Sequence, residues 1–528
     1  MNRGSQVSRV TIAACGISVA ASAAIILTLG VVGAQVRPTT SSIPKTWDAQ
    51  SIETLEVPLA NPIGSPKHPS PDYYYRIPVA PIYKNYPVYA PGHEPAGYFD
   101  RLKQQPPEVV WDDAGHHPPL ESEADWIRAG EIVFDAPVQA GAGPITTEDV
   151  RSAAWWSTVG WKAAADGTLP ILRYVIREQG TVAVETLACA YCHTRLMLDG
   201  SVLKGAQGNY AIGRPNNLRL REAAQGPGAD ASWRQQRTTL RGTFATPWLD
   251  PDPLSRLDTM PFQEYVELQG AYPAGVIPRH RGSPFNPIQV PDLIGVKDRR
   301  YLDRTGLQNH RSIGDLMRYA AMNRGIMNGG DALTNHNGFF PGDAPRYTQL
   351  PDPSTRSRYS DEQLYALAKY LYSLEPPKNP NRFDDVAARG QRVFQREGCA
   401  GCHTPPLYTN NKLTPADGFT IPADHHQKYD ILSISVGTDP DLALKTRRGT
   451  GYYKVPSLKG VWYRGMFGHS GWCATLEDWF DPRRIRDDYV PTGWRPHDHQ
   501  TYAVKGHSYG LKLSEDDRRA LIAFLKTL

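Results

Sequence analysis

Cysteine is scarce in this chain, with six residues among 528. Two close pairs account for four of them, so no disulfide framework is expected. Net charge is scarce too. Fifty-eight Lys and Arg against 54 Asp and Glu leave +4, too little to imply a nucleic acid or an anionic surface as partner. What is abundant is Gly and Pro, 46 of each. They point to long, turn-rich connections, and a chain of this length exceeds what one core supports, which predicts more than one domain.

The N-terminus carries Arg3 and Arg9 and then an uncharged apolar stretch from Val10 to Ala34. That pattern is an export signal, long enough for a membrane-spanning helix rather than the short apolar region of a cleaved peptide. Residues 1–35 are therefore expected to be a signal anchor that leaves the bulk in the periplasm. Val32-Gly-Ala34 is the alternative, a cleavage site that would release a secreted protein. Cys15 precedes most of the apolar run, which argues against lipidation. Cys473 has no obvious partner and reads as a small buried apolar residue.

The remaining four cysteines form one pattern twice, Cys189-Ala-Tyr-Cys192-His193 and Cys399-Ala-Gly-Cys402-His403. C-x-x-C-H is the c-type haem attachment pattern: each thiol bonds one vinyl group, and the adjoining histidine ligates the iron. Random placement at this composition gives roughly 0.002 occurrences. A dithiol redox motif or a paired zinc site leaves the histidine unexplained, and the pairs lie too far apart for one zinc ion. Two covalent haems are expected, with His193 and His403 as iron ligands.

The residues around the motifs repeat as well. Arg128-Ala-Gly130-Glu-Ile-Val133-Phe134 parallels Ala388-Arg-Gly390-Gln-Arg-Val393-Phe394, and Val290-Pro-Asp-Leu293 parallels Val455-Pro-Ser-Leu458. Ser360 to Leu374 parallels Ser514 to Leu528, where a Ser cap and acids in the first turn open an amphipathic helix. Each unit thus reads helix, haem motif, V-P-x-L loop, closing helix. The expected fold class is mainly α: two tandem cytochrome c-like domains at 125–377 and 384–528, with long irregular loops and an N-terminal membrane or signal helix. Residues 36–124 are rich in Pro and Tyr and are expected to run extended over the body, because Pro removes a helix donor and restricts its neighbour.

This tandem, with Arg389-Gly390 leading to C-x-x-C-H-T and then Tyr453-Lys-Val-Pro-Ser-Leu-Lys-Gly460, resembles the di-haem cytochrome c peroxidase superfamily over about residues 125–528. The family implies one haem that meets the oxidant and one that shuttles electrons. The peroxidase branch itself fits poorly. No His lies between His193 and His280, Tyr301-Leu-Asp-Arg304 replaces the family's Trp-containing element, and no Glu lies between Glu267 and Glu362. Peroxide cleavage benefits from such a positioned acid or base. The Gly506-His507-x-x-Gly510 loop before the closing helix resembles instead the rubber oxygenase branch, whose electron-transfer haem has two His ligands. A calcium ion between the units is common in the family, but no ligand set specific to it stands out in this sequence.

For the sixth position of the second haem, Tyr452, Met466, His469 and His507 are the candidates, with His507 favoured by the resemblance. The repeat maps His507 onto Pro353 and Tyr452 onto Pro287, neither able to ligate. The first haem is therefore expected to stay open to a small ligand, unless His280, His310 or, above all, His336 caps it. His116-His117, His425-His426 and His497-x-His499 read as solvated loops.

Two functions follow. One is a haem-dependent oxidoreductase, with dioxygen or peroxide bound at the His193 haem and a redox partner protein served by the His403 haem. The other is a pure electron-transfer di-haem cytochrome without substrate chemistry.

Overall fold

The computed structural model describes residues 43–60, 68–138, 145–278, 283–327, 350 and 352–528, and these belong to one compact unit. The stretch 1–35 lies outside the described residues, among which no helix is long and apolar enough to cross a membrane.

Two crossed helix pairs frame the body. In the first, Glu123–Phe134 packs on Asp361–Ser373, and in the second Asp385–Arg396 packs on Glu515–Lys526. Capping side chains fix where the helices begin. Ser122 and Ser360 each close a capping box, while Asp384 and Ser514 accept from the third backbone N–H. Both crossings turn on a glycine. A Cβ on Gly130 would collide with the Ala366 carbonyl and sit 2.6 Å from the Tyr370 Cβ. On Gly390 it would collide with the Ala520 carbonyl and sit 2.7 Å from the Phe524 Cβ. Val133, Phe134, Leu367 and Leu371 are buried around the first crossing, and Val393, Phe394, Leu521 and Leu525 around the second.

The mainly α expectation needs correction: the fold is mixed helix and sheet. Asn85–Tyr89, Thr168–Glu178, Thr181–Leu187 and Pro137–Val138 form a four-stranded antiparallel sheet in that spatial order. The long central strand is buried on both faces from Leu169 to Leu172 and again from Tyr174 to Ile176. It therefore lacks the polar alternation that advertises a strand in sequence. The sheet delivers the first motif: the Cys189 and Ala190 N–H groups both donate to the carbonyl of Phe134, at 3.1 and 3.2 Å, where the opening helix ends. At the second motif the chain goes straight from the helix through Gly398, at φ +76°, into Cys399.

The Pro- and Tyr-rich stretch also departs from an extended path. Pro71–Arg76 is helical, with Ser70 as cap and Pro71 in the first turn, where its missing N–H costs nothing. Helices Arg214–Gln225, Ala229–Phe244 and Phe262–Gly270 fill the gap between the first motif and its V-P-x-L loop. Trp233 and Tyr265 there share a core with Trp472, Cys473 and Trp494.

Candidate functional site: two cysteine-histidine turns and a histidine-faced cavity

Both motifs adopt the same tight turn. The His193 N–H donates to the Cys189 carbonyl at 3.0 Å and the Cys192 N–H at 3.3 Å; for His403 and Cys402 onto Cys399 the values are 2.9 and 3.3 Å. At the second motif both cysteines and the histidine line one cavity. His193 and His403 are both buried, 8% exposed. Each ring is oriented through Nδ1, which lies 2.9 Å from the Pro291 carbonyl in His193 and 3.1 Å from the Tyr408 carbonyl in His403. The Pro456 carbonyl also acts on the His403 ring. Pro291 and Pro456 are the prolines of the two V-P-x-L loops, so each loop reaches the histidine of its own repeat. A carbonyl on Nδ1 fixes the tautomer and leaves Nε2 as the donor to a metal.

Beyond His403 opens a largely apolar cavity of about 270 Å³, lined by Cys399, Cys402, Leu458, Phe467, Leu521 and, on the far side, His507. The His403 and His507 ring centres stand 6.3 Å apart. Two imidazoles sharing one metal ion, each bond about 2 Å, place their ring centres about 6 Å apart. The spacing therefore fits an iron between the rings.

The loop that carries His507 is built for that placement. Gly506 takes φ +75° and His507 itself +45°, a left-handed conformation that a non-glycine residue adopts at a cost. The buried Arg484 offsets the cost. Its guanidinium donates to the carbonyls of Val504, Gly506 and His507, the last two at 3.0 and 2.8 Å. The His507 N–H donates to the Val436 carbonyl at 2.6 Å, and Trp479 lies against the ring at 5.5 Å. Nδ1 of His507 is buried with no protein partner. Burial above all, then the repulsion that protonating His403 and His507 together would bring, and then the Arg484 charge, lowers the His507 pKa to about 3. Burial likewise lowers that of His403. Both rings are neutral, the form a metal takes. Burial also raises the Cys399 thiol to about 11.

The competing candidates are otherwise engaged. Tyr452 is fully buried, its hydroxyl 2.8 Å from Nδ1 of His425, and it does not line the cavity. His425 is accordingly a core residue and not part of a solvated loop. His469 lines the cavity but uses both nitrogens, 3.0 Å from the Ser470 hydroxyl and 3.1 Å from the Asp439 carbonyl, and stacks on Tyr453. Met466 is absent from the lining.

On the first motif's side His310 is spent in the same way, with Nδ1 2.6 Å from the Arg299 carbonyl and Nε2 2.7 Å from the Tyr372 hydroxyl. Pro353 begins a short 3-10 turn. His280 and His336 lie outside the described residues. What sequence reading missed are the polar anchors: Arg484, the Pro291 carbonyl, and His425 beneath Tyr452. The first two act through backbone carbonyls, which carry no residue signature.

No family profile matches the chain, and no curated protein matches it. Solved structures with some likeness include hydrazine synthase of Kuenenia stuttgartiensis, at 15% identity and a TM-score of 0.27 over 49% of this chain and 78% of that one. A MauG-like protein associated with microbial copper homeostasis is similar at 17% identity and a TM-score of 0.21, over 32% and 56%. Likeness at that level assigns nothing, and the site rests on its own residues.

Proposed function

We propose that this chain is a di-haem c-type cytochrome oxidoreductase. Cys189 and Cys192 hold one haem covalently with His193 as ligand, and Cys399 and Cys402 hold the other between His403 and His507. The observation that carries this reading is the 6.3 Å facing pair of neutral imidazoles across an apolar cavity that two cysteines also line. Bound there, haem supplies one-electron chemistry, and two nitrogen ligands favour a lower potential than a His/Met pair does. The protein's part is to hold both rings neutral, to orient His403 through its loop carbonyls, and to keep water from the iron with Leu458, Phe467 and Leu521.

The first haem is read as the one that meets dioxygen or peroxide. The repeat positions of His507 and Tyr452 are Pro353 and Pro287 there, and His310 has committed both nitrogens to the protein. The two repeats, 125–377 and 384–528, are read as cytochrome c-like units, exported as thioether attachment suits, with a redox partner protein at the second haem.

Low-temperature EPR of the ferric protein tests the division of labour. One low-spin and one high-spin signal, with carbon monoxide binding one reduced haem per chain, is the expected result. Two low-spin signals and no carbon monoxide binding would leave an electron carrier in place of an enzyme.

A further inference from the structure

The two V-P-x-L loops meet at a second, smaller pocket of about 30 Å³, lined by Pro291 and Asp292 from one and by Val455, Pro456 and Ser457 from the other. Four cations reach it: Arg299, Arg304, Lys454 and Arg464. The last three also line the His403 cavity, so they stand in the wall between the two spaces. All four are partly buried.

Negative charge does not match. Asp292 is the one carboxylate in the lining, and it already accepts from the Tyr463 hydroxyl at 2.7 Å and the Ile294 N–H at 2.9 Å. Its nearest approach to Arg464 is 3.9 Å. Asp303, close by, is paired with Arg448 at 2.9 Å. The cations bond neutral oxygens instead. Arg299 donates to the carbonyls of Asp292 and Ile294, and Arg304 to the carbonyl and side chain of Gln289. Lys454 lies 3.3 Å from the Tyr301 carbonyl, and Arg464 donates to that of Ser457 at 2.9 Å while its Nε, 3.9 Å from Asp292, makes no hydrogen bond. Carbonyl dipoles solvate a cation without neutralising it, and a buried surplus of charge is costly. Burial and mutual repulsion show the strain: the Arg304 pKa falls to about 10, and that of Lys454 falls well below its ordinary value.

We propose that Arg299, Arg304, Lys454 and Arg464 form a carboxylate-binding pocket shared by the two repeats. Planar guanidinium forks suit carboxylates, and Lys454 adds a point charge between them. If the di-haem reading holds, the carboxylates are haem propionates reaching in from the cavity; a dicarboxylate from solution presents the same chemistry. The charge balance opposes a divalent cation at this position.

The test uses the holoprotein, with covalent haem per denatured chain counted first; fewer than two haems sinks the di-haem reading and leaves the pocket to be judged by the titration below. K454M and R304Q are each expected to shift the low-spin haem's midpoint potential downward with two haems retained, because losing a nearby positive charge disfavours the added electron. K454R should keep the wild-type midpoint. Malonate should then give no saturable rise in the wild-type melting temperature, the propionates already being in place. A saturable malonate rise that the two variants abolish upholds the pocket with a solution anion as its occupant. Unchanged midpoints together with no malonate response overturn the proposal.

Discussion

His507 concentrates the chemistry of the second site in one residue. It is held left-handed, enclosed and neutral, and its carbonyl is tied to Arg484. Replacing it with Ala should convert one low-spin EPR signal to high-spin while covalent haem stays at two per chain; an unchanged spectrum would remove His507 from the iron. R484K should weaken the same signal more modestly, since a lysine cannot span three carbonyls. His469 offers a different test, because it lines the cavity with both nitrogens already used. Its folded pKa is lowered to about 3, chiefly by burial, while an unfolded histidine titrates near 6.5. Below about pH 6.5 the unfolded chain therefore binds the proton that the folded one refuses. Stability falls as pH drops from there toward 3, by about 1.4 kcal/mol per pH unit for this one group. H469Q should lower the pH slope of urea unfolding free energy by about one proton between pH 6 and 4. An unaltered slope would mean that the ring titrates normally.

At the scale of elements, the glycine crossings carry the frame. G390A forces a methyl group into the Ala520 carbonyl in a packed helix pair, and G130A does the same at Ala366. Each is expected to cost about 1–3 kcal/mol, read from the denaturant midpoint. S514A, which loses only a cap, should cost about 1 kcal/mol. If G390A proved no worse than S514A, the helices would not be in contact at that turn. These helices were legible because their cues are local: Ser before acids, then apolar residues at helical spacing. The sheet was not. Leu169 to Ile176 is buried on both faces at every position but Arg173 and so shows no alternation, and its partners come from as far away as Asn85–Tyr89. Pro71–Arg76 was misjudged for the opposite reason, since Pro at the first helical position starts a helix it would break elsewhere.

Across the whole molecule, the sequence repeat corresponds to equivalent positions: a glycine crossing, a cysteine-histidine turn and a V-P-x-L loop at the histidine appear in both halves. Motif residues could be read directly because their signal is local, two cysteines and a histidine at fixed spacing, twice. The shared basic wall could not, because Arg299 and Arg304 come from one half and Lys454 and Arg464 from the other, and only folding brings them together. Removing this wall's charge and removing His507 should therefore be separable. K454M is expected to alter potential without changing spin state, and H507A to alter spin state.

The two hydrogen bonds onto the Phe134 carbonyl close the stretch from 135 to 188 at its base. The chain departs from the helical frame at that carbonyl and rejoins it at the same oxygen. The strands Thr168–Glu178 and Thr181–Leu187 lie inside this closed excursion, so the sheet they build and the first cysteine-histidine turn share one anchor on the helical frame.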